Sequence, residues 1–386
     1  MTVESKFLLN EETIEKINKL RELVKDYLTP YYDTNFNLLR WIQGHPGKIE
    51  DVSEKLITHL KNRSSVFKFD DMIKDSRNHP IHNHWKYGIT KMSSVLENTI
   101  VNIEQCGETD YWGLTNTYSM TEVLRARLYD LEDMLSHVMR IEKETGKQAY
   151  VLYIIDLGKL KYDRKLIPLI TGPLKCLSDF MSDNYVELFN YFVLVNAPSS
   201  MSYLWSIIKP LLPEKTRSKV KILSNNWRNE ILQYAGPDEL PSKWNLDPNN
   251  NNKINFQVSL ENPIPFNENN LYQNRNEMKT MYETIKVSPG KRHFIMEKLV
   301  SGQKLNWFIS TNLDFSFAVY FTADKNETNH SNMEVVFPYF EFINGPTAVP
   351  LSDTITATKN GYYKILLSNH RAWWNTLMVE YKITIN

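Results

Sequence analysis

Glu187-Leu-Phe-Asn-Tyr-Phe-Val-Leu-Val-Asn-Ala-Pro198 runs into Met201-Ser-Tyr-Leu-Trp-Ser-Ile-Ile-Lys-Pro-Leu-Leu212, then Pro213-Glu-Lys-Thr-Arg-Ser-Lys-Val220 and Lys221-Ile-Leu-Ser224. Asn190 to Val195 is short, apolar and unalternating, the pattern of a strand covered on both faces. After the Asn-Ala-Pro break, Met201, Leu204, Trp205 and Ile208 fall at i, i+3, i+4 and i+7, one face of a helix. Tyr203, Ile207, Leu211 and Leu212 widen the apolar surface almost all round, and Lys209, Lys215, Arg217, Lys219 and Lys221 gather at the far end. Such a helix reads in two ways. It is a core helix with a solvated end, or a lid that touches apolar ligand inside and anionic membrane outside. Composition alone favours the core helix.

Outward from this stretch, helices and strands alternate. Tyr150-Val-Leu-Tyr-Ile-Ile155 is another strand of the buried kind, and a helix over about Lys165 to Met181 separates the two strands. Upstream, Glu122 to Glu142 carries Leu124, Leu128, Leu131, Leu135 and Val138 along one stripe, closed by Gly146. The alternation predicts an α/β sheet with parallel neighbours over residues 81–244. Residues 1–80 read as a helical subdomain. Asn10 caps a first helix bearing Ile14, Ile17, Leu20, Val24 and Leu28, which Pro30 ends; a second spans Asn35 to Gln43, and a third presents Ile49, Val52, Leu56 and Leu60. Residues 245–276, with Asn249 to Asn252, Pro263, Pro265 and Asn267 to Asn270, read as a linker or extended crossing segment. In residues 277–386, Phe315, Phe317, Val319 and Phe321 point one way and Asp314, Ser316, Ala318 and Tyr320 the other, a pattern that Leu377, Val379, Tyr381, Ile383 and Ile385 repeat. Turn signals at Gly290, Gly302, Gly345 and Asn360-Gly361 complete the signature of an all-β sandwich.

Composition narrows the function. Over 386 residues, 42% apolar and 12% aromatic content is ample for packed cores in two or three domains. Forty-five basic residues balance 45 acidic ones, which argues against a nucleic-acid binder. The longest apolar runs fall far short of the ~18 residues of a membrane span. Met1-Thr-Val-Glu-Ser-Lys-Phe lacks the order of a signal peptide. Cys106 and Cys176 alone make no disulfide framework, so a reducing, cytoplasmic location is expected.

No motif of covalent or phosphoryl chemistry is present: no Gly-x-Ser-x-Gly elbow, no Gly-rich phosphate cradle ending in Gly-Lys-Ser/Thr, no Gly-x-Gly-x-x-Gly turn. His79-Pro-Ile-His82-Asn-His84 is the one metal-like cluster, but with no cysteine nearby and no carboxylate at helical spacing it reads as a solvated loop. Glu132-Asp133 reads as the polar face of a helix. The expectation is no catalytic residue, no metal and no enzyme.

The strand ending in Asn-Ala-Pro, the following Lys-Pro-Leu-Leu, the Thr-x-x-Lys helix end and Pro237-Asp-Glu-Leu-Pro241 resemble the CRAL-TRIO lipid-binding domain. Asp110-Tyr-Trp-Gly-Leu114, Ile155-Asp-Leu-Gly158 and Leu38-Leu-Arg-Trp41 resemble it too. Val287-Ser-Pro-Gly290, Trp307 and Val379-Glu-Tyr-Lys-Ile383 resemble a GOLD domain. Together they are similar to the CRAL-TRIO–GOLD lipid-transfer family, the group of the supernatant protein factor and tocopherol-associated proteins.

The resemblance implies a carrier that holds one lipid in a gated apolar cavity. Tyr153, Ile155, Phe192 and Leu194 would floor it, and Tyr203, Leu204, Trp205, Ile207, Ile208, Leu211 and Leu212 would form the gate. Two acyl chains present ~30 methylenes, each costing ~0.8 kcal/mol to expose to water, so a closed cavity makes exchange nearly balanced. Family members that bind phosphatidylinositol place a Glu, a Thr and a Lys at positions matched here by Glu187, Thr216 and Lys219. Lys219 can pair with a phosphate, Thr216 can donate to it, and Glu187 can accept from inositol hydroxyls or steer Lys219. No cofactor is implied beyond the bound lipid, phosphatidylinositol or a tocopherol- or isoprenoid-like molecule. The expected partners are lipid, a transient anionic Golgi or endomembrane surface, and proteins recruited through the GOLD-like domain.

The chain departs from the family pattern in places. Ile42-Gln-Gly-His45 stands for Leu-Arg-Ala-Arg, so an Arg supporting the head-group site is lost. Lys161-Tyr-Asp163 replaces serines of choline-binding relatives, and no Gly-Gly follows Leu240-Pro241. These departures motivate the alternative of a non-transferring scaffold or adaptor that recruits signalling partners to Golgi-type membranes. In the GOLD-like part, Lys286, Lys291, Arg292, Lys298 and Lys304 read singly as solubilising charge. Trp307, Trp373 and Trp374 read as core or edge packing.

Overall fold

The computed structural model describes residues 9–160, 163–246, 254–267, 269, 271–272, 282–343 and 345–386. Three helices come first: α1 (Glu11–Val24), α2 (Asn35–Gly44) and α3 (Ile49–Arg63). Asn10 Oδ1 accepts from the Thr13 amide at 2.8 Å, satisfying one orphan donor of α1. Ile17, Leu20 and Val24 are fully buried, but Ile14 stays 38% exposed, because the buried stripe is narrower than the apolar one. Short helices α4 (Phe69–Met72) and α5 (Ile81–His84), strands β1 (Ile89–Met92) and β2 (Thr99–Glu104), and α6 (Tyr111–Thr117) lead to the long α7 (Met120–Thr145). Ser119 and Glu122 form a reciprocal capping box at its start, and Gly146 ends it in the left-handed region at φ 67°.

Two buried ion pairs bind the N-terminal helices to α7. Arg63 meets Glu132 through two parallel 2.9 Å hydrogen bonds. Arg40, from the Leu-Leu-Arg-Trp motif, pairs with Glu142 and donates to the Ala149 carbonyl at 2.9 Å. Both pairs are almost fully shielded from water, so losing one partner would strand a buried charge.

Strand β3 (Tyr150–Asp156), helices α8 (Leu166–Thr171) and α9 (Pro173–Asn184), strand β4 (Phe189–Val195), helices α10 (Met201–Ile208) and α11 (Glu214–Lys219), strand β5 (Val220–Ile222) and helix α12 (Trp227–Glu230) follow. The sheet order is β1-β2-β3-β4-β5, with β2 to β5 parallel and only the β1–β2 pair antiparallel. The single helix expected over 165–181 is instead two. Gly172 leaves the helical region at φ −108° and ψ −99°, and Pro173 opens the second helix with no amide to donate. The gate helix is also shorter than expected. It ends at Ile208, and Pro210 and Pro213 divert the chain through a 3₁₀ turn before α11.

Motifs forty residues apart meet at Asp156. Its Oδ1 accepts from the Gly158 amide and from Asn196 Nδ2, each at 2.8 Å, while Oδ2 accepts from Trp244 Nε1 at 2.8 Å. The Asp-Leu-Gly and Asn-Ala-Pro signatures are therefore two halves of one clasp at the carboxyl ends of β3 and β4. Trp244 completes it.

Residues 254–267 run extended across this sheet. Phe256 is 1% exposed and packs edge-on against Trp244, and the Val258 amide donates to the Leu240 carbonyl at 2.9 Å. Phe266 stacks on His84 with ring centroids 3.7 Å apart. The Asn249–Asn252 run, Asn270 and residues 273–276 lie outside the described residues, as do Lys161 and Tyr162.

Strands β6 (Glu283–Val287), β7 (Arg292–Leu299), β8 (Lys304–Thr311), β9 (Phe315–Thr322), β10 (Glu334–Ile343), β11 (Leu351–Thr356), β12 (Gly361–Ser368) and β13 (Leu377–Ile385) form two four-stranded antiparallel sheets, β10-β9-β12-β7 and β11-β8-β13-β6. Trp307, Phe317 and Phe337 interlock between them. On the other face of β9, Ser316, Ala318 and Tyr320 are buried as well, because Met333, Leu366 and Tyr339 cover that side. The sandwich shares its core with the helices. Phe340 stacks on Phe180 of α9 at 4.7 Å, Phe337 meets Phe67 at 5.0 Å, and Arg125 of α7 pairs with Asp353 at 2.8 Å.

Candidate functional site

A cavity of about 630 Å³ lies beside one face of the parallel sheet. The β3–β4 register sets Tyr153 beside Phe192 and Ile155 beside Leu194, and alternation turns all four toward the cavity. Leu152, Ile154, Val193 and Val195 turn the other way, into a core closed by Trp227, Ile231 and Trp244. On the facing wall, α8 contributes Leu166, Leu169 and Ile170, and α9 contributes Leu174, Leu177 and Met181. The segment after the Asn-Ala-Pro break adds Met201, Leu204, Trp205, Ile208 and Leu212 to the wall. The volume falls within the ~300–1,000 Å³ of small-molecule sites, and the wall is mostly hydrocarbon.

Three of the expected gate residues do not line it. Tyr203 is 51% exposed, and Ile207 and Leu211 lie off the cavity wall. On an eight-residue helix the i, i+3, i+4, i+7 set consumes the inner face, so Tyr203 and Ile207 fall on the flank, and Leu211 sits beyond the helix in the 3₁₀ turn.

The mouth is polar. Glu187, Thr216 and Lys219 all stand on the cavity wall. The Lys219 ammonium donates to Glu187 Oε2 at 2.7 Å and to the Phe189 carbonyl at 2.9 Å, both side chains being about one-fifth exposed. Glu187 adopts a left-handed backbone at φ 51°, a conformation that costs a non-glycine residue of order 1 kcal/mol. Lys215 donates to the Gly44 carbonyl at 2.5 Å. A Cβ on Gly44 would lie 2.0 Å from Val186 Cγ1, so glycine there lets α2 approach the mouth.

His45, which stands where the family's Arg is lost, also lines the cavity. Its Nδ1 is 3.3 Å from the Lys55 ammonium, which can only donate, so the ring proton belongs on Nε2. That Nε2 is buried and meets no partner among the described residues. Burial first, then the charges of Lys55 and Lys215, push the imidazole down to about 4, so it is neutral near pH 7. The mouth thus holds a neutral donor at His45.

A polar cluster that the sequence reading missed occupies another part of the wall. Glu104 accepts from Tyr111 at 2.6 Å, from Trp85 Nε1 at 2.9 Å and from Tyr153, while Arg127 donates to the Tyr153 hydroxyl at 2.7 Å. Burial alone would raise the Glu104 carboxyl, but the Arg127 charge and these three donors outweigh it and hold it below the usual range. One signal was available: Arg127 sits three residues after Leu124 and four before Leu131, on the buried stripe of α7. Cys106, on the same wall, is pushed up to about 12 by burial, so it is an inert thiol.

The histidines of 79–84 do not form a loop throughout: His82 and His84 stand on the short helix α5 and His79 just before it, its ring edge-on to His82 at 6.5 Å. His79 Nε2 lies 3.4 Å from Glu122, His82 is buried beside Tyr129, and His84 stacks on Phe266 and meets the Ile264 carbonyl at 2.7 Å. Among the described residues no group of three His, Cys, Asp or Glu is arranged to hold a metal ion, and no helix is long and apolar enough to cross a membrane.

A strand-floored apolar chamber closed by a helix and edged by charge defines a class of ligand-enclosing α/β domains. Residues 99–245 match the family model of the CRAL/TRIO domain, and residues 268–386 match a second model, described as F28H7_8_C:-like, C-terminal domain. The chain is thus similar to CRAL/TRIO domains over residues 99–245 and to that second type of C-terminal domain over residues 268–386. It is 26% identical over 383 residues to CRAL-TRIO domain-containing protein F28H7.8 of Caenorhabditis elegans, covering 95% of this chain and 88% of that protein. It is 22% identical over 247 residues to phosphatidylinositol/phosphatidylcholine transfer protein SFH9 of Arabidopsis thaliana, covering 60% of this chain but only 41% of that protein. The crystal structure of Sfh5 superposes with a TM-score of 0.48 at 16% identity, over 59% of this chain and 84% of that one.

Proposed function

We propose that the protein is a non-catalytic lipid carrier that encloses one lipid, phosphatidylinositol or another hydrophobic ligand, and exchanges it at membranes. The observation that carries this reading is the apolar cavity of about 630 Å³ whose mouth gathers Lys219, Thr216, Glu187, Lys215 and His45. A hydrocarbon chain enclosed there keeps its methylenes from water, at ~0.8 kcal/mol each. A phosphate at the mouth would accept from Lys219, Thr216 and His45 Nε2, while Glu187 would hold Lys219 and accept from inositol hydroxyls. The naming of SFH9 as a phosphatidylinositol/phosphatidylcholine transfer protein agrees with this head group.

On this reading the gate opens as a unit between Pro198 and Pro213, with Tyr203, Ile207 and Leu211 on its outer side facing the bilayer. Residues 1–80 and 81–244 then act together as the carrier, residues 245–276 as a strap, and residues 277–386 as a GOLD-like module for Golgi-type membranes or protein partners. A single-chain isoprenoid alcohol such as a tocopherol is the second reading, favoured by the Glu104–Arg127–Tyr153 cluster, which could receive a hydroxyl inside the chamber. Transfer of labelled phosphatidylinositol and of a labelled tocopherol between vesicles, run side by side, separates the two. Transfer of neither would sink the carrier reading.

A further inference from the structure

Two indoles stand clear of the packed core. Trp373 is 85% exposed and Trp374 is 90% exposed, on the loop between β12 and β13. Trp307, in the same sandwich, is fully buried. The expectation that all three pack in the core or at an edge therefore holds for Trp307 alone.

The loop is held firmly on either side of the pair. The Asn369 amide donates to the Lys291 carbonyl at 2.9 Å, and Asn369 Nδ2 donates to the Val287 carbonyl at 3.0 Å and the Asn375 carbonyl at 2.9 Å. Arg371 donates to Glu341 Oε2 at 3.0 Å, and His370 Nε2 lies 3.4 Å from the other oxygen. The residues on either side of the tip are thus anchored, while both indoles stay in solvent. Exposed Lys291 and Arg292 flank its stem, with Ser368 paired to Arg292 across the β12–β7 ladder. The nearby carboxylates are both engaged: Glu341 by Arg371 and His370, and Asp314 by the Gly345 amide at 2.8 Å.

A chain of neighbours links the loop to the cavity wall. Glu341 follows Phe340, which stacks on Phe180 of α9. Three residues on from Phe180, Asp183 is part of the cavity wall. Its carboxyl is pushed up by burial first, then by the charges of Asp179 and Glu341, and it also senses Lys55, the partner of His45.

We propose that the Trp373–Trp374 tip is a membrane-interface anchor that seats the cavity mouth against an anionic bilayer, an inference that rests on the lipid-exchange reading above. Indole is the side chain that settles best at the lipid–water boundary, having an apolar body and one N–H, and neighbouring cations add attraction to anionic head groups. A projecting indole would also fill a partner's apolar pocket; the exposed Lys291 and Arg292 at the stem favour an anionic lipid surface instead.

The test is flotation of the full chain with vesicles of equal parts phosphatidylcholine and phosphatidylserine, together with quenching of its tryptophan emission by lipids brominated along the acyl chain. W373S/W374S should weaken vesicle binding by about a hundredfold or more and remove the quenching component, because each inserted indole contributes about one decade of partitioning or more. Its melting temperature and its load of co-extracted lipid should match the parent, since both side chains are exposed. Unchanged binding and quenching in the variant would overturn the anchor while leaving the carrier reading intact. So would a variant that loses self-association or a protein partner in a chain that never binds the vesicles. A chain without extracted lipid that still needs the pair to float would keep the anchor and sink the carrier reading.

Discussion

Replacing Lys219 by Met removes one charge and keeps most of the apolar stem. Lys219 Nζ is 2.7 Å from Glu187 and 2.9 Å from the Phe189 carbonyl, with 23% and 21% of the two side chains exposed. An ion pair reached by solvent is worth about 0–1 kcal/mol, so fold stability should fall by roughly 1 kcal/mol at most. Binding of a phosphate-bearing lipid has more to lose. Charge-assisted hydrogen bonds contribute ~1.5–3 kcal/mol, which is about ten- to hundredfold in affinity. A neutral isoprenoid makes no such bond and should bind K219M as it binds the parent. The assay is vesicle-to-vesicle transfer of fluorescent phosphatidylinositol, with a fluorescent tocopherol as internal control and a thermal melt for the fold. A drop in phosphatidylinositol transfer of less than about twofold, or an equal drop for both ligands, would refute the reasoning that Lys219 reads the head group.

R63M alone should cost ~3–5 kcal/mol in urea unfolding, because Glu132 is then buried without its cation, whereas R63M/E132L should recover much of that loss. His59 is buried against Asn184 and is pushed down to about 3 by burial first and the Arg63 charge second. A depressed histidine contributes stability above its unfolded value near 6.5 that is lost as pH falls, roughly 3 kcal/mol by pH 4 at ~1.4 kcal/mol per unit. H59N should therefore flatten the fall in melting temperature between pH 6.5 and 4, and an unchanged slope would contradict this. I155W places an indole where ligand would lie beside Leu194, so the melt should stay within a few degrees while co-purified lipid falls sharply, as read by mass spectrometry of extracts.

Much of the α/β domain is legible from periodicity. Asn190–Val195 and Tyr150–Ile155 read as doubly covered strands because parallel strands bury both faces, and the two-residue period then chooses Tyr153, Ile155, Phe192 and Leu194 as one wall. Period 3.6 chooses Met201, Leu204, Trp205 and Ile208 in the same way. Where proline intervened, periodicity overran the chain. The stripe of 165–181 continues across Gly172-Pro173, and the gate across Pro210, because apolar spacing says nothing about a missing amide. The polar cluster at Glu104 was hidden because its members come from β2, α5–β1, α6, α7 and β3, and only the fold brings them together. Likewise alternation placed Ala318 and Tyr320 opposite the phenylalanines, but only the fold shows the segment around Met333 covering them. The tryptophan pair was misjudged for a related reason: a large apolar residue is by default buried, and only the backbone of its loop reveals that these two are held outward.

Extraction and mass spectrometry of whatever lipid accompanies the protein out of its host test the central claim most directly. One lipid per chain is expected, lost in I155W and displaced by phosphatidylinositol in the parent. A chain that comes out empty, and that takes up neither phosphatidylinositol nor tocopherol when offered, would contradict the account and favour the scaffold.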